Sequence, residues 1–347
     1  MDLLSVTMTE GVKMRSDIEG KDNSSEDKSN YKIVHIGDMV YNSMRMWQGA
    51  SGISPYDGIV SPAYTVLKPS IPISNGFFAA LFKTERLINA FRKNSQGMTS
   101  DTWNLKYPQI ETIKIHIPSI SEQEKISEFI ALIDAKIAKQ RILVDSLKKY
   151  KRGFLRGCFS NQSGWDVLPI SSIGKVVTGS TPPTDNPKNY GGNKLFCAPS
   201  DVGTEKYISS TIKRVSEKGF HTGRIVPKGT IIVTCIGLIG KLGIAMQDMI
   251  TNQQINSLIV DDVFDNEFVY YALEYALPRY AAQASMQTMP ILSKSEFEKI
   301  TLPIPDIKRQ KDISKPLALL DNKIFAETEI LEKLTSLKNG LLQKLFI

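Results

Sequence analysis

The feature that most limits how this chain can fold is a duplication. Residues 113–160 (IKIHIPSISEQEKISEFIALIDAKIAKQRILVDSLKKYKRGFLRGCFS) realign without a gap onto residues 300–347 (ITLPIPDIKRQKDISKPLALLDNKIFAETEILEKLTSLKNGLLQKLFI), at a constant offset of 187. Pro118 pairs with Pro305, Gln123 with Gln310, Asp134 with Asp321, Lys136 with Lys323 and Phe159 with Phe346. About a third of the aligned positions are identical, far above chance for an ungapped span, so one structural unit occurs twice.

Each copy reads as a short apolar strand ending at proline (IKIHIP, ITLPIP), a polar turn and a long helix. In the first helix Ile126, Ile130, Ile133, Ile137, Gln140, Val144, Leu147, Lys151 and Phe154 alternate spacings of four and three, the seam of a coiled coil. The second copy places Ile313, Leu317, Leu320, Ile324, Glu327, Leu331, Leu334, Lys338 and Leu341 in register with them. The polar interruptions coincide, Gln140 with Glu327 and Lys151 with Lys338. A polar seam residue costs stability but fixes register and partner, so the two helices are expected to pair with each other. The alternative is two separate amphipathic helices, each covering its own domain. Pro316 fits only if it falls in the first turn or two of its helix. Some 30 to 35 helical residues make a rod of about 45 to 50 Å, enough to hold two domains roughly one DNA turn apart.

The repeats divide the chain into a domain at 1–112, a helical spacer at 113–160, a second domain at 161–299 and a second spacer at 300–347. Both domains are punctuated by Gly and Pro. HIGDMVYNSM, GIVSPAYTVLK, GTIIVTCIG and INSLIV read as strands, and RIVPKGTIIVTCIGLIGKLGIAM as a hairpin. GFFAALFKTERLINAFRKN reads as one helix, and YYALEYALPRYAAQA (Tyr270–Ala284) as a helix broken at Pro278. The fold class is α+β: two globular domains joined by two long helices that pair as an antiparallel coiled coil.

Composition narrows the function. A net charge of +7 favours a polyanionic partner without proving one. Cys158, Cys197 and Cys235 form no CxxC pair and only three histidines are present, so no zinc site, and no metal site, is expected. Scattered thiols fit a reducing cytoplasm, and no apolar run approaches a membrane span. Pro182–Pro183 is the sole Pro-Pro and lacks the following aromatic of a methyltransferase motif. CIGLIGKLG lacks the glycine and the hydroxyl that a phosphate loop requires at Cys235 and Leu242, so Gly237, Gly240 and Gly243 mark a turn. SEFEKI (Ser295–Ile300) holds two glutamates before a lysine but introduces the repeat strand. His35, His116 and His221 have no nucleophile partner at a recognisable spacing, so no catalytic residue is assigned.

Readers of DNA need Arg and Lys for phosphates and Arg, Asn, Gln, Ser or Thr for base edges. In the first domain Asn42, Arg45, Trp47 and Gln48 concentrate in NSMRMWQGASG, and Gln96 lies in the polar loop RKNSQGMTSD. In the second domain the candidates are Thr181, Lys188, Tyr190, Lys194, the stretch Lys206–Lys213–Arg214, Thr251 to Gln254, and the loop QASMQTM (Gln283–Met289). Asn252 and Asn256 have a second reading, as residues that stabilise the fold. For the basic run Lys148, Lys149, Lys151, Arg152 and Arg156, a place near a helix C-terminus is reason enough.

The layout resembles the specificity subunit of type I restriction–modification systems. The matching stretches are Gly164–Trp165, Thr178–Gly179–Ser180–Thr181–Pro182, Pro227–Lys228–Gly229–Thr230, Thr251–Asn252–Gln253 with Asn256, and Leu302–Pro303–Ile304–Pro305 followed by Gln310. Gly37–Asp38, Tyr41–Asn42 and GIVSPAYTVL match in the first domain. The resemblance implies a non-catalytic subunit whose two domains each read one half of a split site in double-stranded DNA. It implies two methyltransferase subunits docking on the helical stalk and the domains, with Ile126, Ile133, Ile137, Leu147, Ile313, Leu320, Ile324 and Leu334 as partner-binding residues of the helical spacers, and endonuclease/translocase subunits joining that core. No cofactor is expected on this chain; S-adenosylmethionine, ATP and Mg belong to those partners. One departure stands out: at the offset of 187, the counterpart of Trp165 falls about 22 residues before Met1, so the first domain is expected to be N-terminally truncated relative to the second. Two rival readings are a silent donor of recognition domains and a self-contained methyltransferase or nuclease.

Overall fold

The computed structural model describes residues 1–8, 10–20, 24–99, 102–160, 162–203, 205–284 (backbone alone for 282–284) and 291–346. The chain divides into two compact units, Met1–Arg141 with Ile330–Ile347, and Ile142–Glu329. Both divisions fall inside a long helix, so each unit contains the first part of one repeat helix and the last part of the other.

Unit 1 contains β1 (Leu4–Thr7), β2 (Gly11–Met14), β3 (Lys32–Val34), β4 (Met39–Asn42), β5 (Ser51–Ile53), β6 (Gly58–Val60) and β7 (Tyr64–Leu67), then α1 (Asn75–Leu81), α2 (Glu85–Asn94), α3 (Tyr107–Glu111) and the start of α4 (Ile120–Cys158). Its strands form the sheet β5-β4-β7 and the pairs β3-β6 and β1-β2. Unit 2 takes the rest of α4, then β8 (Asp166–Pro169), β9 (Gly174–Thr178), β10 (Tyr190–Cys197), β11 (Tyr207–Ile208) and β12 (Lys213–Val215). It continues with α5 (Glu217–Thr222), β13 (Ile225–Val226), β14 (Ile231–Thr234), β15 (Leu242–Ala245), β16 (Met249–Thr251), β17 (Ile255–Val260), α6 (Asn266–Ala284), α7 (Lys294–Lys299) and β18 (Thr301–Ile304). The start of α8 (Ile307–Leu345) completes it. The strands build the sheets β11-β15-β14-β17-β9 and β12-β10-β16-β13 and the pair β18-β8.

The two units repeat one scaffold. In unit 1, β4 lies between β5 and β7 with Met39 opposite Leu67; in unit 2, β14 lies between β15 and β17 with Ile231 opposite Leu258. Before each central strand stands a glycine at positive φ, Gly37 at 91° and Gly229 at 89°, in a left-handed turn that a side chain would strain. The Gly37 N–H donates to Ser54 O and the Gly229 N–H to Ala245 O, both at 2.8 Å. Their carbonyls accept from the side-chain amides of Asn75 and Asn266, the first residues of α1 and α6. An offset of 192 up to the central strand and 191 after it therefore relates this part of the two units, as 187 relates the repeats.

Each repeat glutamine ties its helix to this scaffold. Gln123 donates to Pro118 O (2.9 Å) and accepts from Ser74 N–H (3.0 Å); Gln310 donates to Pro305 O (2.8 Å) and accepts from Asp265 N–H (2.8 Å). Ser74 and Asp265 are the N-caps of α1 and α6. The repeat phenylalanines anchor the helix ends: Phe159 is buried against Phe268 (ring centroids 5.6 Å apart) in unit 2, and Phe346 against Phe77 (5.0 Å) in unit 1.

The long helices pair antiparallel. Lys338 on α8 meets Asp134 on α4 at 2.5 Å in unit 1, and Lys151 on α4 meets Asp321 on α8 at 2.7 Å in unit 2. These are the same two repeat positions with the helices exchanged. Every residue placed on the two seams, including Ile126, Ile133, Ile137, Leu147, Ile313, Leu320, Ile324 and Leu334, is buried or half-buried, while most of their neighbours are exposed.

Several local expectations are corrected. The strand IKIHIP does not form: Lys114–Ile117 has no strand partner among the described residues, whereas its copy β18 pairs with β8. A strand exists only where a second backbone accepts its hydrogen bonds. GFFAALFKTERLINAFRKN is two helices, because Thr84 ends one by donating to Leu81 O (2.7 Å) and caps the next by accepting from Leu87 N–H (3.4 Å). Pro278 does not break α6, and Pro316 stands in the third turn of α8. Core burial just before Pro278 (Leu273 and Leu277) and on both sides of Pro316 (Ile313 and Leu317) holds each helix across the lost hydrogen bond. SEFEKI lies mostly in α7, closed by a reciprocal Ser293–Glu296 capping box. The CIGLIGKLG segment is the β14–β15 hairpin, but Gly243 lies in β15, where a Cβ would come within 2.6 Å of the Ile208 side chain.

Candidate nucleic-acid interface

At one edge of each unit, three segments are laced together by matching backbone bonds. In unit 1 the loop after β4, the β6–β7 turn and the segment after α2 meet where Ser43 N–H donates to Ala63 O (3.0 Å) and Leu105 N–H to Ser43 O (2.8 Å). In unit 2 the equivalent bonds run from Cys235 N–H to Gln254 O (2.9 Å) and from Leu292 N–H to Cys235 O (2.8 Å). The scaffold is shared, but the residues it displays differ.

On unit 1 this edge gathers the first-domain candidates. Asn42 is spent locally, its Oδ1 accepting from Met44 N–H (3.0 Å) to shape the turn. Arg45 is exposed and reaches Gln48 Oε1 at 3.4 Å. Trp47 packs rather than projects: its indole N–H donates to Met44 O (3.1 Å), its ring meets Trp103 edge-on at 5.2 Å, and the Arg92 guanidinium lies 5.9 Å from its centroid. The Trp47–Trp103 contact joins the two polar loops, which sequence reading kept separate. Gln96 is exposed and bridges its backbone to Asn104 across the base of the second loop (3.0 and 2.8 Å). Ser100 and Asp101 of that loop lie outside the described residues.

On unit 2, Thr181 donates to Gln253 Oε1 (2.5 Å) and Tyr190 OH donates to Pro182 O (2.7 Å), which fixes the loop between β9 and β10. Lys194 and Arg214 stand on the β10–β12 ribbon, where Leu195 lies opposite Arg214. Arg214 is exposed, while Lys194 is half committed, 3.2 Å from Glu217 and 5.1 Å from the Phe220 ring. Gln254 takes part in an Asx turn, its N–H donating to Asn252 Oδ1 (2.8 Å). Lys188 is exposed beside Tyr190. The Gln283–Met289 loop falls outside the residues whose side chains are described.

Two calls are settled by burial. Lys206 cannot serve as a phosphate contact, because its ammonium is buried, paired with Glu267, 2.7 Å from Tyr271 OH and 3.7 Å from Asp321. Asn256 takes its structural reading: it is buried, accepts from Thr178 Oγ1 (2.7 Å) and donates to Leu292 O (3.4 Å). Lys151, read as a helix-terminal cation, lies instead between Asp321 and Glu274 (2.9 Å). Burial disfavours its charge, but the two carboxylates outweigh burial and hold its pKa above the ordinary lysine value.

Sequence reading missed Lys32 and Arg224, which occupy the same scaffold position, Lys32 as the first residue of β3 and Arg224 immediately before β13. Lys32 Nζ donates to Pro62 O (3.3 Å) and Arg224 Nη1 to Thr178 O (2.9 Å), each holding a basic group at the loop-bearing edge. Their equivalence emerges only from strand register, since the two domains share little sequence. Neither buried thiol of unit 2 is activated as a nucleophile. Burial pushes the Cys197 thiol up to about 12 and the Cys235 thiol up to about 11, so both stay protonated.

Comparison with known proteins agrees with this architecture. Residues 13–144 and 162–336 match the model of the type I restriction modification DNA specificity domain. The chain is 33% identical over 179 residues to the type I restriction enzyme MjaIX specificity subunit of Methanocaldococcus jannaschii, a match covering 49% of this chain and 41% of that protein. It is 28% identical over 187 residues to the HindI specificity subunit of Haemophilus influenzae, covering 52% of this chain and 41% of that protein. The matched part thus spans about two fifths of those relatives. The fold is similar to the crystal structure of the type I restriction-modification S subunit from M. genitalium, with a TM-score of 0.65 and 17% identity over 91% of this chain and 84% of that one. With a duplicated scaffold, exchanged helix ends and both repeats matched, the chain belongs to the type I restriction modification DNA specificity domain family.

Proposed function

We propose that this chain is a sequence-specific DNA-binding subunit that reads a bipartite site, one half with each unit, and directs methylation and cleavage carried out by partner subunits. The observation that carries this reading is the contrast at the loop-bearing edges. Identical backbone bonds hold three loops together in both units, while the side chains on them differ, as two readers of different half-sites require. Exposed arginines supply phosphate or guanine contacts: Arg45 and Arg92 on unit 1, Arg214 and Arg224 on unit 2.

Two copies of one partner fit the helices. Outward-facing apolar residues recur at the same repeat positions, Leu132 with Leu319 (71% and 69% exposed), Leu143 with Ile330 (40% and 43%) and Tyr150 with Leu337 (61% and 54%). A duplicated apolar surface suits two methyltransferase subunits better than one. S-adenosylmethionine, ATP and Mg are then needed by the partners, not by this chain.

The test is methylation mapping of the host genome with and without this gene. A split motif that disappears with the gene supports the reading; an unchanged methylome, or methyl transfer by the isolated chain, overturns it. Removing one heptad from both long helices, about 10 Å of rise, is expected to shorten the unspecified spacer by about three base pairs.

A further inference from the structure

Unit 1 has an apolar groove where unit 2 has a strand–turn–strand. In unit 2, β8 runs antiparallel to β18 with Leu168 opposite Leu302, and Ile170 N–H then donates to Ile300 O (2.9 Å). β9 completes the segment, antiparallel to β17 with Val176 opposite Leu258. Trp165, at its start, packs on Phe159 and Phe268 at centroid distances of 5.9 and 6.2 Å.

The residues beneath that segment have counterparts in unit 1. Leu258, Val269, Phe297, Leu302 and Ile304 correspond to Leu67, Phe78, Ile110, Ile115 and Ile117. The five in unit 2 are 0–4% exposed, whereas the five in unit 1 are only half-buried. Two cavities flank the extended residues 113–117. One, of about 320 Å³, is lined by Leu67, Phe78, Ile110 and Ile113; the other, of about 380 Å³, reaches Phe77 and Phe346, the counterparts of the rings that hold Trp165. Between the cavities, Lys114–Ile117 alternates exposed and half-buried residues as a strand would, without a strand partner among the described residues. β7, the counterpart of β17, is the edge of its sheet. A free edge, an extended segment and two apolar cavities are the parts of a β-augmentation site.

We infer that this groove docks a strand–turn–strand polypeptide segment with the residue pattern of Trp165–Thr178. One strand of the segment pairs with Lys114–Ile117 and the other with β7. Its tryptophan enters the cavity beside Phe77 and Phe346, and its Ile-x-x-Ile turn enters the cavity beside Phe78 and Ile110. The chain's own Trp165–Thr178 is already engaged in unit 2, so the occupant is a further segment of the same pattern. This inference concerns folding of unit 1 and stands whether or not the DNA reading does.

The test uses the full chain and a labelled synthetic peptide of residues 164–179, without DNA. Saturable one-to-one binding is expected, with a dissociation constant of about 10 µM. Hydrogen exchange should slow at 64–67 and 114–117 and stay unchanged at 255–260 and 301–304. A W165A peptide, which cannot unfold the protein, is expected to bind at least about tenfold more weakly. Absence of saturable binding, equal binding by the W165A peptide, or altered exchange in the unit 2 segments would each overturn the inference. So would a chain that is dimeric by itself with 64–67 and 114–117 already protected, since a second copy would then be the occupant.

Discussion

Units 1 and 2 are built on one scaffold, yet they differ in what surrounds the lysine that each repeat helix brings to its partner. In unit 2, Lys151 is enclosed with Asp321 and Glu274. In unit 1 its counterpart Lys338 meets Asp134, but the position equivalent to Glu274 is Lys83, whose charge opposes that of Lys338. The pairing side chains are 11% and 15% exposed for Lys151 and Asp321, against 26% and 48% for Lys338 and Asp134. A duplicated motif therefore does not carry a duplicated energy. Desolvation decides what each pair contributes.

That contrast can be broken most sharply by deleting the two lysines. Lys151→Ala leaves Glu274 without its cation and Asp321 with only Lys206 at 3.7 Å, and is expected to destabilise unit 2 by about 3 kcal/mol, while Lys338→Ala costs under about 1 kcal/mol. Denaturant unfolding with hydrogen exchange resolved by unit measures both, and equal losses would refute the burial argument. Next in size are the paired core truncations. Leu302→Ala opens a cavity under β8 and is expected to cost about 2–5 kcal/mol, whereas half-buried Ile115→Ala costs roughly 1 kcal/mol.

A smaller effect separates the readers from each other. Arg45→Ala and Arg214→Ala should each weaken binding to the cognate bipartite site by about 1–3 kcal/mol. Each is expected to relax specificity in one half-site only, as scored by methylation of singly substituted sites; loss of both halves from either change would contradict independent readers. The last test is pH. Burial, reinforced by Lys338, holds the Lys83 pKa down at about 8, although its ammonium donates to Met8 O at 2.9 Å. The unfolded chain binds more protons there, since a free lysine titrates near 10.4, so unit 1 should gain stability as pH rises from about 8 to 10. Lys83→Met should flatten that gain, as thermal unfolding across the pH series would reveal.

How much of this was legible beforehand varies by residue. The seam from Ile126 to Phe154 was readable because helical periodicity is local, and every position on it turned inward. Trp47 was named, but its partner Trp103, more than fifty residues away in sequence, was not, because an edge-on ring contact leaves no local signal. Lys206 read as a surface cation because its burial depends on Glu267 and Asp321, brought to it by other elements. The strand at Lys114–Ile117 was overcalled for the same reason: its alternation is a property of the segment, but its ladder belongs to a partner.

By itself, then, the sequence determined the duplication, the helical seam, the register of its polar positions and the α+β class, all of which follow from spacing along one chain. Tertiary structure alone decided that Lys151 and Lys338 face aspartates, that Lys32 and Arg224 share a scaffold position, and that one copy of the repeat strand pairs while the other lies open beside a groove. The physical reason is common to all three. Desolvation and backbone pairing are set by whichever group lies opposite, and the spacing of residues along a single segment does not encode that group.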